Sequence, residues 1–266
     1  VSHLLQQLDH RGVLRLTMNR PRVHNAFDQQ LIESLTRSLQ KAEQDSAVRV
    51  VVLTGTEPCF SAGADLNWMR SQVDAPEAQN EKDALELAQL MRTLNFLDRP
   101  TIAMVNGPAF GGGLGLIACC DITIAEDTAQ FGLTEVTLGL APAVISPYVI
   151  GRIGAGNARR YFLTGERFNA DKARELGLVQ EVVAENSLAT EVEKIITRLL
   201  NAAPEATRCC KGLVASVSGH DENHQLELDA YTAKLIATLR VSSEGQEGLA
   251  AFLEKRTPAW VVDKNE

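Results

Sequence analysis

Residues 101–125 read TIAMVNGPAFGGGLGLIACCDITIA. Two short apolar runs, Thr101 to Val105 and Asp121 to Ala125, bracket a glycine cluster and an apolar stretch ending at Cys120. The outer runs have strand length and β-branched residues. The stretch between them suits a helix, so the segment reads as strand, turn, helix, strand. Gly111, Gly112 and Gly113 fall where that helix begins. Glycine there costs helix stability, so the cluster answers a need: something approaches the backbone too closely for a Cβ. A helix start also presents N–H groups without acceptors and the positive end of the dipole. Tight helix–sheet packing would use the same glycines. We read the cluster as facing a ligand.

The same alternation extends upstream. Val50 to Thr54 is a buried strand stopped by Gly55, and a loop of small residues runs from Glu57 to Asp65. A long helix is expected over about 77–98, ending before Pro100. Strands and helices thus alternate from about residue 48 to 125, the pattern of parallel βαβ units with right-handed crossovers. Residues 4–8 and 13–18 flank Asp9-His10-Arg11-Gly12 and read as a hairpin. Asn19-Arg20-Pro21 ends its second strand, and Phe27, Leu31, Leu35, Leu39 and Ala42 mark one face of a helix with Asp28 near its start. Beyond about residue 155 helical stretches dominate, over 156–163, 170–176, 188–202, 205–218, 222–239 and 243–254. One apolar run, Leu178 to Val183, interrupts them. The expectation is an α/β core with a helical C-terminal layer.

Composition narrows the function. The chain has 266 residues, 45% of them hydrophobic, which is globular and ample for a core, and a net charge of −8. An acidic chain without a basic stretch is a poor nucleic-acid binder, because phosphate neutralisation needs clustered cations. The cysteines are Cys59, Cys119, Cys120, Cys209 and Cys210, an odd count with two adjacent pairs, which is a poor disulfide framework and lacks zinc spacing. The opening VSHLLQQLDHRG has no apolar signal-peptide region, and no stretch of about 18 apolar residues suggests a membrane span. These features lead us to expect a cytoplasmic protein.

Several motifs carry chemistry. Phe60-Ser61-Ala62-Gly63-Ala64-Asp65-Leu66 is a second small-residue loop after a strand. If the two strands are neighbours, both loops lie at their C-terminal ends, where open α/β sheets bind ligands. One backbone N–H from each loop would then converge on a single oxygen as an oxyanion hole. Glu135, in Gln130-Phe131-Gly132-Leu133-Thr134-Glu135-Val136, is a carboxylate among apolar neighbours and a candidate acid/base, or else a surface residue of a first helical turn. Gly113-x-Gly115-x-x-Ala118 matches a dinucleotide fingerprint only in part, since the next strand arrives too soon for its acidic residue. His220 and His224 have an i,i+4 spacing without a third ligand, so no metal site is expected. Neither a nucleophile elbow nor a P-loop occurs.

In order and spacing these segments resemble the crotonase, or enoyl-CoA hydratase/isomerase, family over nearly the whole chain. The resemblance rests on Asn19-Arg20-Pro21 with Asn25-Ala26, Phe60 to Leu66, Pro100 to Gly107, Gly111-Gly112-Gly113 and Cys120-Asp121. It continues through Phe131 to Glu135, Leu138-Gly139, Leu163-Thr164-Gly165, Ala173, Gly177-Leu178-Val179 and Phe252 to Arg256. It implies a ββα-spiral core binding an acyl-CoA thioester, placed over residues 1–200, and a helical trimerisation region over 201–266. It implies a homotrimer or dimer of trimers, no prosthetic group, and coenzyme A only as part of the substrate. By resemblance the oxyanion donors are the N–H groups of Ala64 and Gly112. Ala62, Asp65 and Leu66 match positions lining the adenine and pantetheine pocket, and Arg22, His24 and a neighbouring subunit's Lys255 are candidate phosphate contacts.

Many family hydratases use two glutamates. The second matches Glu135, while the position of the first is Gly115. The stretches Ala109 to Asp121 and Leu140 to Val149 look like a branch associated with methylglutaconyl-CoA hydration in leucine breakdown and isohexenylglutaconyl-CoA hydration in acyclic terpene breakdown. The expectation is therefore a lyase hydrating a branched glutaconyl-type thioester. Arg152, Arg159 and Arg160 are candidates for structural or carboxylate contacts. An isomerase with Glu135 as sole proton shuttle, and a non-catalytic CoA- or RNA-binding member, are the alternatives.

Overall fold

A computed structural model describes residues 2–219 and 222–262. β1 (Leu4–Leu8) and β2 (Val13–Met18) form the expected antiparallel hairpin. α1 (Gln29–Gln44) follows, capped by the Asp28 carboxylate, which accepts from the Leu31 N–H at 2.8 Å. Next come β3 (Val50–Gly55), α2 (Leu66–Val73), α3 (Glu77–Asn95), β4 (Thr101–Val105) and β5 (Ala109–Phe110). α4 (Gly112–Cys119), β6 (Ile122–Glu126), β7 (Gln130–Gly132), α5 (Ser146–Thr164), β8 (Arg167–Asn169), α6 (Ala170–Glu175) and β9 (Glu181–Val183) complete the core. Four helices close the chain: α7 (Leu188–Asn201), α8 (Pro204–Val217), α9 (Glu222–Val241) and α10 (Ser243–Glu254).

The main sheet has the order β1-β2-β3-β4-β6-β9, parallel from β2 onward. A small sheet, β5-β7-β8, stands apart from it. The run Val50-Val51-Val52-Leu53 is apolar throughout because both faces of β3 are covered. Val50 and Val52 point with Ile102 and Ile124 toward Leu188, Val192 and Ile196 of α7. Val51 and Leu53 point the other way, into the larger core with Leu31 and Leu35 of α1 and Leu90 and Leu94 of α3. That two-sided burial fixes the register and therefore the level at which the loops after β3 and β4 emerge.

The structure differs from the sequence reading at several elements. The segment after Asp65 is helical at once, as α2, because the Asp65 carboxylate accepts from the N–H groups of Asn67 (2.7 Å) and Trp68 (3.2 Å). α5 begins at Ser146, ten residues before the expected 156, and Gly154 interrupts it with φ 75°. The small sheet was not expected, since strands of two or three residues carry no periodicity. The run Leu178 to Val183 yields only β9, while Leu178 and Val179 are core residues of the turn before it. His220 and Asp221 lie outside the described residues. Among the described residues no group of His, Cys, Asp and Glu is arranged to hold a metal, and no helix is long and apolar enough to cross a membrane.

α8 is exposed along its length and is tied to the core by Lys211, whose Nζ donates to Asp121 Oδ2 (2.9 Å) and Arg99 O (3.2 Å). α9 packs along α3, and an ion pair between half-buried Arg92 and buried Asp229 joins them. α10 then folds back over the segment that follows β7.

Candidate active site

Two loops meet at the C-terminal ends of β3 and β4, and backbone hydrogen bonds weld them together. Phe110 N–H donates to Ser61 O at 2.9 Å, and Phe60 and Ser61 N–H donate to Pro108 O at 3.1 and 3.2 Å. A third strand of chain joins from the N-terminal side: Phe27 N–H donates to Gly63 O (2.6 Å) and Asp65 N–H to Phe27 O (2.8 Å). These bonds flank Ala64 and leave its N–H without an acceptor among the described residues. Gly112, the first residue of α4, has no intrahelical acceptor for its N–H either. Both residues line one cavity of about 820 Å³, within the size range of small-molecule sites. The two expected oxyanion donors therefore stand free and face one space.

The glycine cluster serves both readings weighed for it. A Cβ on Gly111 would lie 3.0 Å from Glu135 Oε1, so this glycine makes room for the carboxylate as well as adopting φ +48°. A Cβ on Gly112 would strike Phe27 at 2.4 Å, and one on Gly113 would strike Ser61 at 2.8 Å. Gly111 and Gly112 line the cavity, while Gly113 is buried against the neighbouring loop.

Gly115 explains the missing carboxylate. Its Cβ position is already occupied: Ile145 Cγ2 lies 2.3 Å away, Ile145 Cβ 2.9 Å and Met91 Cε 3.2 Å. Ile145 is 3% exposed and lines the cavity. A β-branched apolar group thus fills the space a side chain at 115 would take. In this arrangement Glu135 has no acidic counterpart at that position.

Glu135 opens a short 3-10 turn, Glu135–Leu138, after β7. Its carboxyl is enclosed, with Oε2 buried and without a hydrogen-bond partner among the described residues. Desolvation lifts its pKa from 4.5 to about 7, against a smaller lowering by its own backbone N–H. Near neutrality it is thus divided between acid and base forms, as proton transfer in both directions requires. The turn is clamped by α10. A Cβ on Gly139 would meet Glu244 O at 2.4 Å, and one on Gly248 would meet Leu138 O at 2.2 Å. Backbone thus packs on backbone directly beside Glu135. The sequence reading missed this role of α10. Its signal was the pair Gly245 and Gly248 inside a helix, where glycine is unfavourable without a close contact.

Ala62, Asp65, Leu66, Arg22 and His24 all line the cavity. Arg22 and His24 are exposed at its rim, in the 3-10 turn Pro21–Val23 and its left-handed cap. The Asp65 side chain is committed elsewhere: besides capping α2, its Oδ2 accepts from Arg20 Nη2 at 2.9 Å. Asn25 underlies the rim. Fully buried, it donates to Thr56 O and Cys59 O, both at 2.7 Å, and accepts from Arg20 N–H at 2.9 Å. Lys255 caps α10 in a left-handed conformation, exposed and outside the cavity wall of its own chain. Arg152 Nε donates to Ala118 O at 3.0 Å, Arg160 pairs with Glu166, and Arg159 is exposed. None of these three lines the cavity, so the carboxylate role considered for them is corrected to a structural one for Arg152 and Arg160.

The far wall is apolar. It is built from Leu87 of α3, Ala143 and Val144 before α5, and Ile236 and Leu249 from α9 and α10. The C-terminal helices α9 and α10 therefore contribute part of the cavity wall of their own chain.

The chain is similar to known proteins over nearly its whole length. The sequence pattern described as enoyl-CoA hydratase/isomerase matches residues 9–263. The chain is 33% identical to the 2,3-dehydroadipyl-CoA hydratase of Escherichia coli over 92% of this chain and 94% of that one. It is 34% identical to the crotonyl-CoA hydratase of Syntrophomonas wolfei over 91% of each. A crystal structure of an enoyl-CoA hydratase from Shewanella pealeana superposes with a TM-score of 0.79 at 44% identity, covering 97% of this chain and 96% of that one.

Proposed function

The chain belongs to the enoyl-CoA hydratase/isomerase family, and from that premise we propose that it hydrates a branched, glutaconyl-type enoyl-CoA. The observation that carries the reading is the convergence of the free Ala64 and Gly112 N–H groups and the enclosed Glu135 carboxyl on one cavity. The thioester carbonyl oxygen sits between the two N–H groups. Negative charge grows there when a nucleophile adds at Cβ, and donors already in place stabilise it without reorganisation.

Glu135 carries the protons. As carboxylate it accepts a proton from water while the hydroxide oxygen bonds to Cβ, and the Cα–Cβ π electrons move to form an enolate at the carbonyl. As carboxylic acid it then returns that proton to Cα, and the enolate collapses to the thioester. One water is added and Glu135 ends as it began. The pKa of about 7 suits both halves. The route combines addition of the water oxygen to Cβ with two proton transfers and calls for no prosthetic group. Arg22 and His24 at the rim suit the phosphates of coenzyme A. The homotrimer, or dimer of trimers, remains part of this reading.

The glutaconyl assignment draws on the segments Ala109 to Asp121 and Leu140 to Val149, which the structure joins through the Gly115–Ile145 contact. The same contact favours a second reading. With one carboxylate, Glu135 would equally move a proton between two carbons of a 3-enoyl thioester. Incubation with 3-methylglutaconyl-CoA, crotonyl-CoA and a 3-enoyl-CoA, followed by mass spectrometry, separates them. Gain of one water by the glutaconyl thioester supports the hydratase. Conversion of the 3-enoyl thioester without mass change, and no hydration, replaces it with the isomerase.

A further inference from the structure

Five cations or potential cations line the cavity: Arg22, His24, Arg70, Arg167 and Arg240. Four are exposed. Arg22 and His24 occupy the rim, Arg70 donates to Asn67 Oδ1 within its own helix, and Arg167 lies over the Phe110 ring at 4.9 Å. Arg240 differs from these. It belongs to the last turn of α9, one helical turn beyond Ile236, on the apolar far wall.

An arginine in the last turn of a helix is ordinarily explained by the dipole, with its head in water. Arg240 does not follow that pattern. Its backbone is pinned: Gln246 Nε2 donates to Arg240 O at 2.7 Å and to Val73 O at 3.0 Å, tying α9 to the end of α2. Its guanidinium is drawn inward, and among the described residues it forms no ion pair. Its one hydrogen bond is a long contact from Nη1 to Asn80 O, 3.5 Å. The facing acid is Asp83, which accepts from Gln79 (2.7 Å) and Gln72 (3.4 Å) and stands beyond ion-pair distance from Arg240. Burial lowers the Arg240 pKa to about 10, with Asp83 opposing the shift weakly. A planar group with five N–H donors, set into an apolar wall with one weak partner, is matched to a planar anion.

We propose that Arg240 is a specificity residue that receives a carboxylate at the end of the acyl chain distal to the thioester. The inference rests on the cavity being an acyl-CoA site, and it specifies the substrate class as monothioesters of dicarboxylic acids. A distal carboxylate completes the donor set of Arg240, most directly as a paired, two-bond contact. A plain alkyl chain leaves the guanidinium with only its long contact to Asn80 O in a desolvated wall, so the site discriminates by penalising the wrong substrate as well as by binding the right one. Gln72, buried and also on the cavity wall, is placed to assist.

The test is made on binding, so that it does not depend on which reaction Glu135 performs. Saturated glutaryl-CoA and pentanoyl-CoA have acyl chains of equal carbon count and neither can be hydrated. Calorimetry on the wild-type protein is expected to show tighter binding of glutaryl-CoA by about 10²-fold, the scale of a charge-assisted contact. Arg240→Gln is expected to abolish that preference while leaving pentanoyl-CoA affinity within a few-fold. Arg240→Lys is expected to keep a reduced preference, because a point charge cannot pair twice. Equal wild-type affinities for the two thioesters overturn the proposal, as does an undiminished preference in Arg240→Gln. Should Arg240→Gln fail to fold, Arg240→Lys decides, and an undiminished preference in that variant overturns the proposal. Preference for glutaryl-CoA without any hydration in the product assay would retain this inference and remove the hydratase reading. Hydration without the preference would do the reverse.

Discussion

Gly115→Ala tests whether Ile145 has taken the place of a side chain at that position. The added Cβ would lie 2.3 Å from Ile145 Cγ2 and 2.9 Å from Ile145 Cβ. Rotation about one bond relieves only the first of these contacts. Met91 is fully buried, and Ile145, 3% exposed, can retreat only toward the cavity it lines, so relief of the contact costs packing or cavity volume. Overpacking of this kind costs about 1–3 kcal/mol. Against it, replacing a glycine inside a helix by alanine gains up to about 1 kcal/mol. The net expectation is a loss of about 1–2 kcal/mol, or a fall in Tm of roughly 2–8 °C for a chain of this size. Thermal and urea unfolding at fixed protein concentration measure it. A double-mutant cycle with Ile145→Ala sharpens the result. In the Ile145→Ala background the Cγ2 contact is gone, and Gly115→Ala should become neutral or stabilising, a coupling of about 1–3 kcal/mol. A stable Gly115→Ala variant whose effect simply adds to that of Ile145→Ala would refute the reasoning and reopen room for a second carboxylate.

Three further expectations follow from the same contacts. Glu135 holds its proton to about pH 7 when folded and to about 4.5 when unfolded, so it lowers stability progressively as pH rises between those values. Glu135→Gln should therefore gain stability relative to wild type over that window, approaching about 3 kcal/mol above it. Urea midpoints at pH 5 and pH 8 that differ by the same amount in both proteins would contradict the burial. Gly248→Ala places a Cβ 2.2 Å from Leu138 O and should push α10 away from the turn bearing Glu135. The expected signature is a fall in kcat larger than the rise in KM, and unchanged kinetics would reject the clamp. Asp65→Ala removes the cap of α2 and one partner of Arg20, with an expected loss of about 2–4 kcal/mol. A loss under about 0.5 kcal/mol, the usual surface value, would show that the cap is dispensable.

The parallel core was legible because both signals that define it are local. Val50 to Thr54 and Thr101 to Val105 are β-branched runs of strand length, and Asp28 and Pro100 mark a helix start and a helix end. The two small-residue loops that line the cavity were legible for a related reason, since glycine and alanine in place of larger residues signal close approach whatever lies opposite. What lay opposite was not legible. Ile145 reads as one more apolar residue, and only the tertiary fold sets it against Gly115. Arg240 likewise reads as the dipole partner of a helix end, and nothing local turns its head inward. Arg152 and Arg160 drew attention by their nearness in sequence to a distinctive segment, whereas their bonds to Ala118 and Glu166 are structural. The strands of the small sheet were too short for a period-two pattern to show. The start of α5 at Ser146 was hidden because Pro147 and Gly154 read as breakers, although proline is well placed in a first helical turn.

The most direct measurement is single-turnover hydration of a glutaconyl thioester by the wild-type protein and by Glu135→Gln, with thioester affinity measured in parallel. Glutamine keeps the shape of the side chain and loses the ionisable carboxyl group. Turnover should fall by about 10²–10⁴-fold with affinity nearly unchanged, because general acid–base catalysis is removed while the Ala64 and Gly112 donors remain. Near-full turnover in the Glu135→Gln variant would contradict the assignment of Glu135 as the group that moves the proton.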